Sequence, residues 1–431
     1  MTGARTFEMD AFVEDARAVS VLQAFERCGF SLRSLRSSGP EHVGPCPSCG
    51  GKDRFSLNSQ KSVFNCRGAE GGDAIGLVKH LTGLDFLDAC ELLNGRDRPS
   101  RDGGDDAERA ARREAAEHRL AEQRERAARE EVEREAQQNQ YRAREWDRCR
   151  ALWREAAAFD CNSASAKAYL AARRLDVSRL DGAYLRTHPR LGFFAEDGKG
   201  AKVAIHHGPA QLGLFCRLVP DAGSASGFRW MSIGLHATWI DLDAAPKFRP
   251  TLVSPVDGEP LPSKKMRGSK AGGVIPVLGL LSSATRMVVG EGIETVLGFA
   301  RFDGFRADTF YCAAGDLGNL AGKARSGRDE PGSRIRHPTI KRRATNGVMK
   351  PHFVPGLEPD MGSDAVPVPA WIDELVLLGD GDSEPVMTRA ALKRGCARHA
   401  REGRTVRALF APVGGDWADV AAALEPEMEA A

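Results

Sequence analysis

The chain is 431 residues long, 42% hydrophobic and 28% charged, the balance of a globular protein with room for two or three cores. Its 61 Lys and Arg against 59 Asp and Glu leave a formal net charge of +2, which excludes a globally basic protein, so any contact with a polyanion must use local patches. Apolar runs such as Gly273–Leu281 are too short to span a bilayer, and MTGARTFEMDAF lacks a basic start followed by an apolar stretch, so no membrane and a cytoplasmic setting are expected.

In chain order, residues 1–98 open on a helical pattern through Phe12, Ala16, Val19, Leu22 and Phe25. A Cys/Gly-rich stretch follows, then a second helix from Ala74 through Leu93. Within that stretch, Cys46 and Cys49 form a C-x-x-C knuckle, and Cys66 follows after sixteen intervening residues. Thiolates held at such spacing by a Gly-rich turn suit tetrahedral zinc. Arg54–Leu57 and Ser62–Asn65 read as two short ribbon strands. The chain has ten cysteines, scattered rather than paired as in a disulfide framework. Cys28, Cys90, Cys149, Cys161, Cys216, Cys312 and Cys396 read as small buried hydrophobes.

Residues 99–156 change composition abruptly: between 101 and 150 there are 13 Arg, 14 Asp plus Glu and no Lys. Helix propensity is high and no apolar a/d stripe runs through it. It reads as a solvated single helix tied by i,i+4 pairs and acting as a spacer, with a coiled-coil arm as the alternative.

Residues 157–281 mix strand-like runs (Lys202–Ile205, Leu212–Leu218, Ala237–Leu242) with Gly/Pro turns, and near their end lies the basic stretch SKKMRGSKAGG, Ser263–Gly273. Its Lys264, Lys265, Arg267 and Lys270 are candidates to hold nucleotide or template phosphates, a solvated loop being the alternative. His236 is expected to be structural.

Residues 282–428 alternate strand and helix: Arg286–Val289, Ile293–Arg301, Asp308–Ala313, Leu375–Leu378, Val386–Arg401 and Val406–Phe410. That alternation argues a largely parallel sheet covered by helices. Glu291 ends the first strand in GEGIET, and Asp380 and Asp382 end a later one in LLGDGD. Carboxylates at strand tips sit where α/β folds bind ligands, and three of them make a hard-oxygen cage suited to magnesium. Glu294, one helical step on, reads as secondary. Gly414–Asp419 forms a third acidic turn. The connection from Gly315 to Ala370 includes the strongly basic segment Lys323–Lys350, a runway for single-stranded DNA or else a disordered insertion.

Two resemblances follow from these motifs. CPSCGGKDRFS, FNCRG and GGDAIGLV, spread over about 40 residues, resemble the CHC-type zinc finger of replicative and phage primases. The family implies a fourth ligand three positions after Cys66, where this chain has Ala69; either His42, Glu70, Asp73 or water substitutes, or the site is weak or empty and the cysteines only pack. A ribbon of this kind implies template contact, with Lys52, Arg54, Lys61 and Arg67 on phosphates and Phe55 and Phe64 either stacking on bases or filling the small core. GEGIET followed by LLGDGD resembles the Toprim domain of primases, topoisomerases and some nucleases. It implies Glu291 as general acid/base and Asp380 and Asp382 as magnesium ligands.

The fold class implied is multidomain α+β: a zinc-ribbon module, a long charged helix, a mixed α/β segment and a Toprim domain. The function implied is a DNA primase of a phage, plasmid or integrative element. It would bind single-stranded DNA and use NTPs and magnesium to make short RNA primers. No G-x-x-x-x-G-K-[ST] phosphate loop is present, so a helicase would be a separate chain. A Toprim nuclease, or an inactive DNA-binding replication accessory protein, is the alternative.

Overall fold

The computed structural model describes residues 2–69, 71–99, 106–158, 164–180, 183–325, 333–343 and 348–424. Glu70 and Cys161, named above as a candidate ligand and a buried thiol, lie outside them, as do parts of the basic segment Lys323–Lys350. The chain divides into two compact units, Met1–Gln140 and Tyr141–Ala431. Among the described residues no helix is long and apolar enough to cross a membrane.

The first unit begins with two helices, α1 (Thr2–Ala18) and α2 (Val21–Arg27), where the apolar spacing had suggested one. The break comes at Ser20, whose hydroxyl accepts from the Gln23 backbone N–H while the Gln23 side chain reaches back, a reciprocal cap that starts a new helix. Five strands, β1 (Arg36–Ser38), β2 (Glu41–Cys46), β3 (Gly50–Asn58), β4 (Val63–Cys66) and β5 (Gly71–Gly72), pair in sequence order as an antiparallel sheet. Helices α3 (Ala74–Thr82) and α4 (Phe86–Asn94) follow. The single helix expected over this span is interrupted at Gly83, which takes the left-handed φ of +71°, a conformation that costs glycine little. Phe12, Phe25, Phe55, Leu57, Phe64, Leu77 and Leu93 form the core.

Helix α5 (Asp106–Glu155) is the charged segment. In the first unit its Ala116 and Leu120 join the core just described, and Arg124 Nε donates to the Cys28 carbonyl at 2.8 Å. In the second unit Trp146 Nε1 donates to the Ile233 carbonyl at 3.1 Å. Residues 121–140 are mostly exposed and carry pairs such as Arg129–Glu125.

In the second unit, β6 (Ala157–Ala158), helix α6 (Ala164–Ala172), β7 (Leu185–Glu196), β8 (Lys202–Pro220), β9 (Phe228–Trp239), the small pair β10 (Leu252–Val253) and β11 (Pro260–Leu261), and β12 (Lys264–Gly268) come first. An antiparallel sheet runs in the order β12-β9-β8-β7-β6. The basic stretch, with a solvated loop as its alternative reading, is in part a strand. Lys264 lies opposite Thr238 and Gly268 opposite Gly234, because the edge of β9 offers backbone partners that a loop would leave to water.

Next come β13 (Ile275–Leu278), β14 (Arg286–Gly290), α7 (Ile293–Phe302), β15 (Thr309–Ala313), α8 (Leu317–Ala321), β16 (Arg334–Arg343), β17 (Met349–Pro355), β18 (Glu374–Gly379), α9 (Pro385–His399), β19 (Thr405–Phe410) and α10 (Trp417–Ala423). The second sheet has the order β13-β15-β14-β18-β19; β13 is antiparallel and the other three pairings are parallel. Strands β14, β15 and β18 are buried on both faces, as unbroken apolar runs require, while the edge strand β19 is not. Val288, Tyr311, Val376 and Leu378 pack with α7 and α10. Their neighbours Met287, Val289, Phe310, Cys312, Leu375 and Leu377 pack with α8 and α9. The first of these clusters also takes in Tyr169, Phe215 and Ile233 from the region before residue 281.

Candidate metal centres

In the first unit, Cys46 ends β2, Cys49 follows in the turn, and Cys66 ends β4. The fourth group is His80 on α3. One ligand atom from each of Cys46, Cys49, Cys66 and His80 lies within 4.8 Å of the others. Cys46 Sγ is 3.2 Å from His80 Nε2, and Cys49 Sγ is 3.3 Å from Cys66 Sγ. Zinc bonds of about 2.3 Å to sulfur and about 2.0 Å to nitrogen would space such atoms by roughly 3.5–3.8 Å, so a small outward adjustment accommodates a tetrahedral ion. The S₃N set can hold a metal such as zinc.

This corrects the search for a fourth ligand near Ala69. His42 Nδ1 is engaged by Ser37 Oγ at 2.9 Å, and Asp73 caps α3 by accepting from the Gly76 N–H at 2.9 Å. Helix periodicity brings His80 round to the ribbon, where its ring stacks on Phe64 at 5.6 Å. Burial pushes the Cys46 thiol up to about 12, so binding a metal there displaces a proton. Burial also works to raise Cys49, but hydrogen bonds from Cys66, Cys46 and Arg54 outweigh it and hold that thiol below its usual range.

Phe55 is fully buried and stacks on Phe25 at 5.7 Å; Phe64 is 3% exposed. Rings so enclosed cannot stack on a base, so both belong to the core, contrary to the nucleic-acid role considered for them. Lys52, Arg54, Lys61 and Arg67 are exposed, although Arg67 lies 3.8 Å from Asp53 and Arg54 turns toward Cys49.

In the second unit the acids stand at the carboxyl ends of neighbouring parallel strands. Glu291 directly follows β14, Asp380 directly follows β18, and Asp382 lies two residues on. Asp316, after β15, caps α8; Asp416, after β19, caps α10. The D-G-D turn is shaped by close approach. A Cβ on Gly381 would lie 1.9 Å from the Pro412 carbonyl oxygen, and Gly381 N–H donates to Gly415 O at 2.8 Å. Only glycine fits there.

Asp380 Oδ2 accepts from Thr295 Oγ1 at 2.9 Å, whereas its Oδ1 is buried with no hydrogen-bond partner. Burial pushes Asp380 up to about 6 against the Thr295 hydrogen bond, with Asp416 and Asp382 adding to the rise. Burial, then the charges of Asp380 and Asp316, raises Glu291. Asp382 is exposed. Glu291, Asp380 and Asp382 do not gather as tightly as the thiols do. Asp380 thus offers an unpartnered buried oxygen, and it and Glu291 are the two raised carboxyls at this strand edge.

The four cations before β14 are largely engaged. Lys264 approaches Glu294 at 3.5 Å, Lys265 lies over the Phe193 ring at 3.9 Å, Arg267 is 3.8 Å from Glu145, and Lys270 pairs with Asp316. Glu294, read as secondary, is the most enclosed acid of the region at 7% exposure. It accepts from Tyr169 Oη at 2.7 Å and pairs with Arg249. Burial would raise it, but Lys264, Arg249 and the Tyr169 hydroxyl outweigh burial and hold it below the usual carboxylate range. Its partner Arg249 lies in a turn with no motif of its own, so no sequence signal pointed to this pair. His236 on β9 is driven down to about 4 by burial and then Lys264, so it is neutral at pH 7.

No protein-family model matches the chain, and no curated protein matches it. Among solved structures, a DNA primase domain from Pseudomonas aeruginosa aligns over 62% of this chain and 69% of its own, at 14% identity and a TM-score of 0.30.

Proposed function

We propose that the chain is a primase-like nucleotidyltransferase, with a zinc ribbon in residues 1–98, a charged helix in 99–156, a mixed α/β segment in 157–281 and a Toprim-type catalytic domain in 282–428. Glu291 and Asp380, at the carboxyl ends of paired parallel strands with their pKa values raised by burial and by neighbouring acids, carry this reading. Asp380 and Asp382 would hold magnesium, which supplies charge neutralisation at the phosphates. Glu291, whose raised pKa makes it a stronger base than an ordinary carboxylate, takes the proton from a primer 3′-hydroxyl as that oxygen bonds the α-phosphorus of an NTP and diphosphate leaves. The S₃N cluster would hold zinc and keep Lys52, Lys61 and Arg67 exposed toward template phosphates. In this reading the partners are single-stranded DNA, NTPs and a separate helicase, and the setting is a mobile element replicating in the cytoplasm.

Incorporation of labelled NTP on a circular single-stranded template tests the proposal. Incorporation should require magnesium and fall by at least about a hundredfold in Asp380→Ala, the scale of losing one preorganised electrostatic contact. Incorporation that survives Asp380→Ala overturns the metal assignment, and strand breaks without incorporation point to a nuclease instead.

A further inference from the structure

The connection between β15 and β18 contains the antiparallel hairpin β16–β17. Its strands read RIRHPTIKRR and MKPHFVP. Arg334, Arg336, Lys341, Arg342, Arg343 and Lys350 are all exposed, and neither strand carries an Asp or Glu. Among the described residues Arg334, Arg336, Lys341, Arg342 and Lys350 form no ion pair. Arg342 lies directly opposite Lys350, a cross-strand pairing of like charges that costs stability. A chain of net charge +2 has ample carboxylates to relieve that cost, yet among the described residues none pairs with these five cations.

The two faces of the hairpin differ. Ile335, His337 and Val354 turn inward: Val354 is 3% exposed, and His337 Nε2 meets Glu384 Oε1 at 2.9 Å. Arg334 and Arg336 alternate outward, opposite Pro355 and Phe353 respectively. Phe353 is 40% exposed, with the Arg334 guanidinium 4.6 Å from its ring centroid. The inward face thus anchors the hairpin beside α9, and the outward face presents an exposed ring with one guanidinium over it. Unpaired cations next to an exposed ring are what a flexible polyanion with stackable bases would satisfy.

We propose that the outward face of β16–β17 is a binding platform for single-stranded nucleic acid, with Arg334, Arg336 and Lys341 on phosphates and Phe353 beneath a base. The proposal deepens the function given above and rests on it for the choice of single-stranded DNA as the ligand.

The test is fluorescence anisotropy of a labelled single-stranded oligonucleotide with the full chain, without magnesium or NTP, across a salt series. Removing three phosphate contacts should lower the magnitude of the log K against log salt slope by about 2. The Arg334→Gln/Arg336→Gln/Lys341→Gln variant should show that drop. A charge-matched control in α5, Arg129→Gln/Arg134→Gln/Arg144→Gln, should not. Phe353→Ala, which changes no charge, should weaken binding by about tenfold, the order set by loss of one base–aromatic stack. Thermal melts confirm that each variant is folded, and Phe353→Ala serves if the triple variant is not. An unchanged slope together with an unchanged Phe353→Ala affinity overturns the platform, as does a loss seen only on phosphatidylglycerol vesicles, which would assign the face to a lipid surface. Because no catalysis is read, a hairpin-dependent slope in a protein that incorporates no NTP keeps the platform and sinks the polymerase reading. Incorporation by a protein whose DNA binding ignores the hairpin does the reverse.

Discussion

Asp380 and Glu294 are both enclosed carboxylates near the start of α7, and their surroundings give them opposite energetic signs. Asp380 has one oxygen without a partner and acids on several sides, so in magnesium-free buffer its charge destabilises the fold. Its pKa is raised from 3.8 to about 6. The folded state therefore binds the proton more tightly, and the stability this contributes is present below about pH 4 and lost as pH rises through about 6. Full linkage would give on the order of 3 kcal/mol at pH 7, discounted to about 1–2 kcal/mol because the carboxyl is partly open to solvent. Asp380→Asn, which keeps an acceptor for Thr295, should thus stabilise the magnesium-free protein by about 1–2 kcal/mol at pH 7 and have no effect near pH 4. Urea midpoints at the two pH values measure this, and equal midpoints for both proteins at pH 7 would refute the argument.

Glu294 is the reverse case, because Arg249 is nearly as enclosed, at 16% side-chain exposure. Glu294→Gln leaves that guanidinium without its countercharge and should cost about 3 kcal/mol in the same urea experiment. A neutral result would mean that Tyr169 and water satisfy Arg249 unaided. The GEGIET motif drew attention to Glu291 from sequence alone; the greater burial of Glu294 did not show there, because burial depends on what β12 and the Arg249 turn bring to α7.

At the scale of elements, the zinc ribbon shows how far a motif reaches. Cys46, Cys49 and Cys66 were legible because a knuckle and a two-strand hairpin are local, with ligand spacing set by turn geometry. His80 was not, since it lies fourteen positions after Cys66 and becomes a neighbour only when α3 folds back across β4. His80→Ala should weaken zinc binding by more than about a hundredfold, beyond what loss of a supporting contact costs, whereas His42→Ala should leave it unchanged. Competition with a chromogenic chelator reads both; equal zinc retention by the two variants would remove His80 from the centre. Secondary structure divided in the same way. Strands β14, β18 and β19 and helices α7 and α9 fell close to their apolar runs; β14 and β18, covered on both faces, leave an unmistakable pattern. Lys264–Gly268, with two lysines, an arginine and a glycine among its five residues, has no such pattern, and its strand state follows only from the open edge of β9.

At the scale of the whole molecule, a near-zero net charge conceals segregation: acids at the carboxyl edge of one sheet, cations on a hairpin and on the ribbon. Composition and periodicity determined that the chain is a multidomain mixed α/β protein with a cysteine knuckle, a charged helix and acidic strand tips, because each of these is written within a few turns or strands. Tertiary structure decided which histidine completes the thiol cluster, which acid is paired and which is left with an unmet oxygen, and that a basic connection is a two-faced hairpin. Those outcomes depend on residues tens to hundreds of positions apart, and distance along a chain carries no local signal of proximity in space.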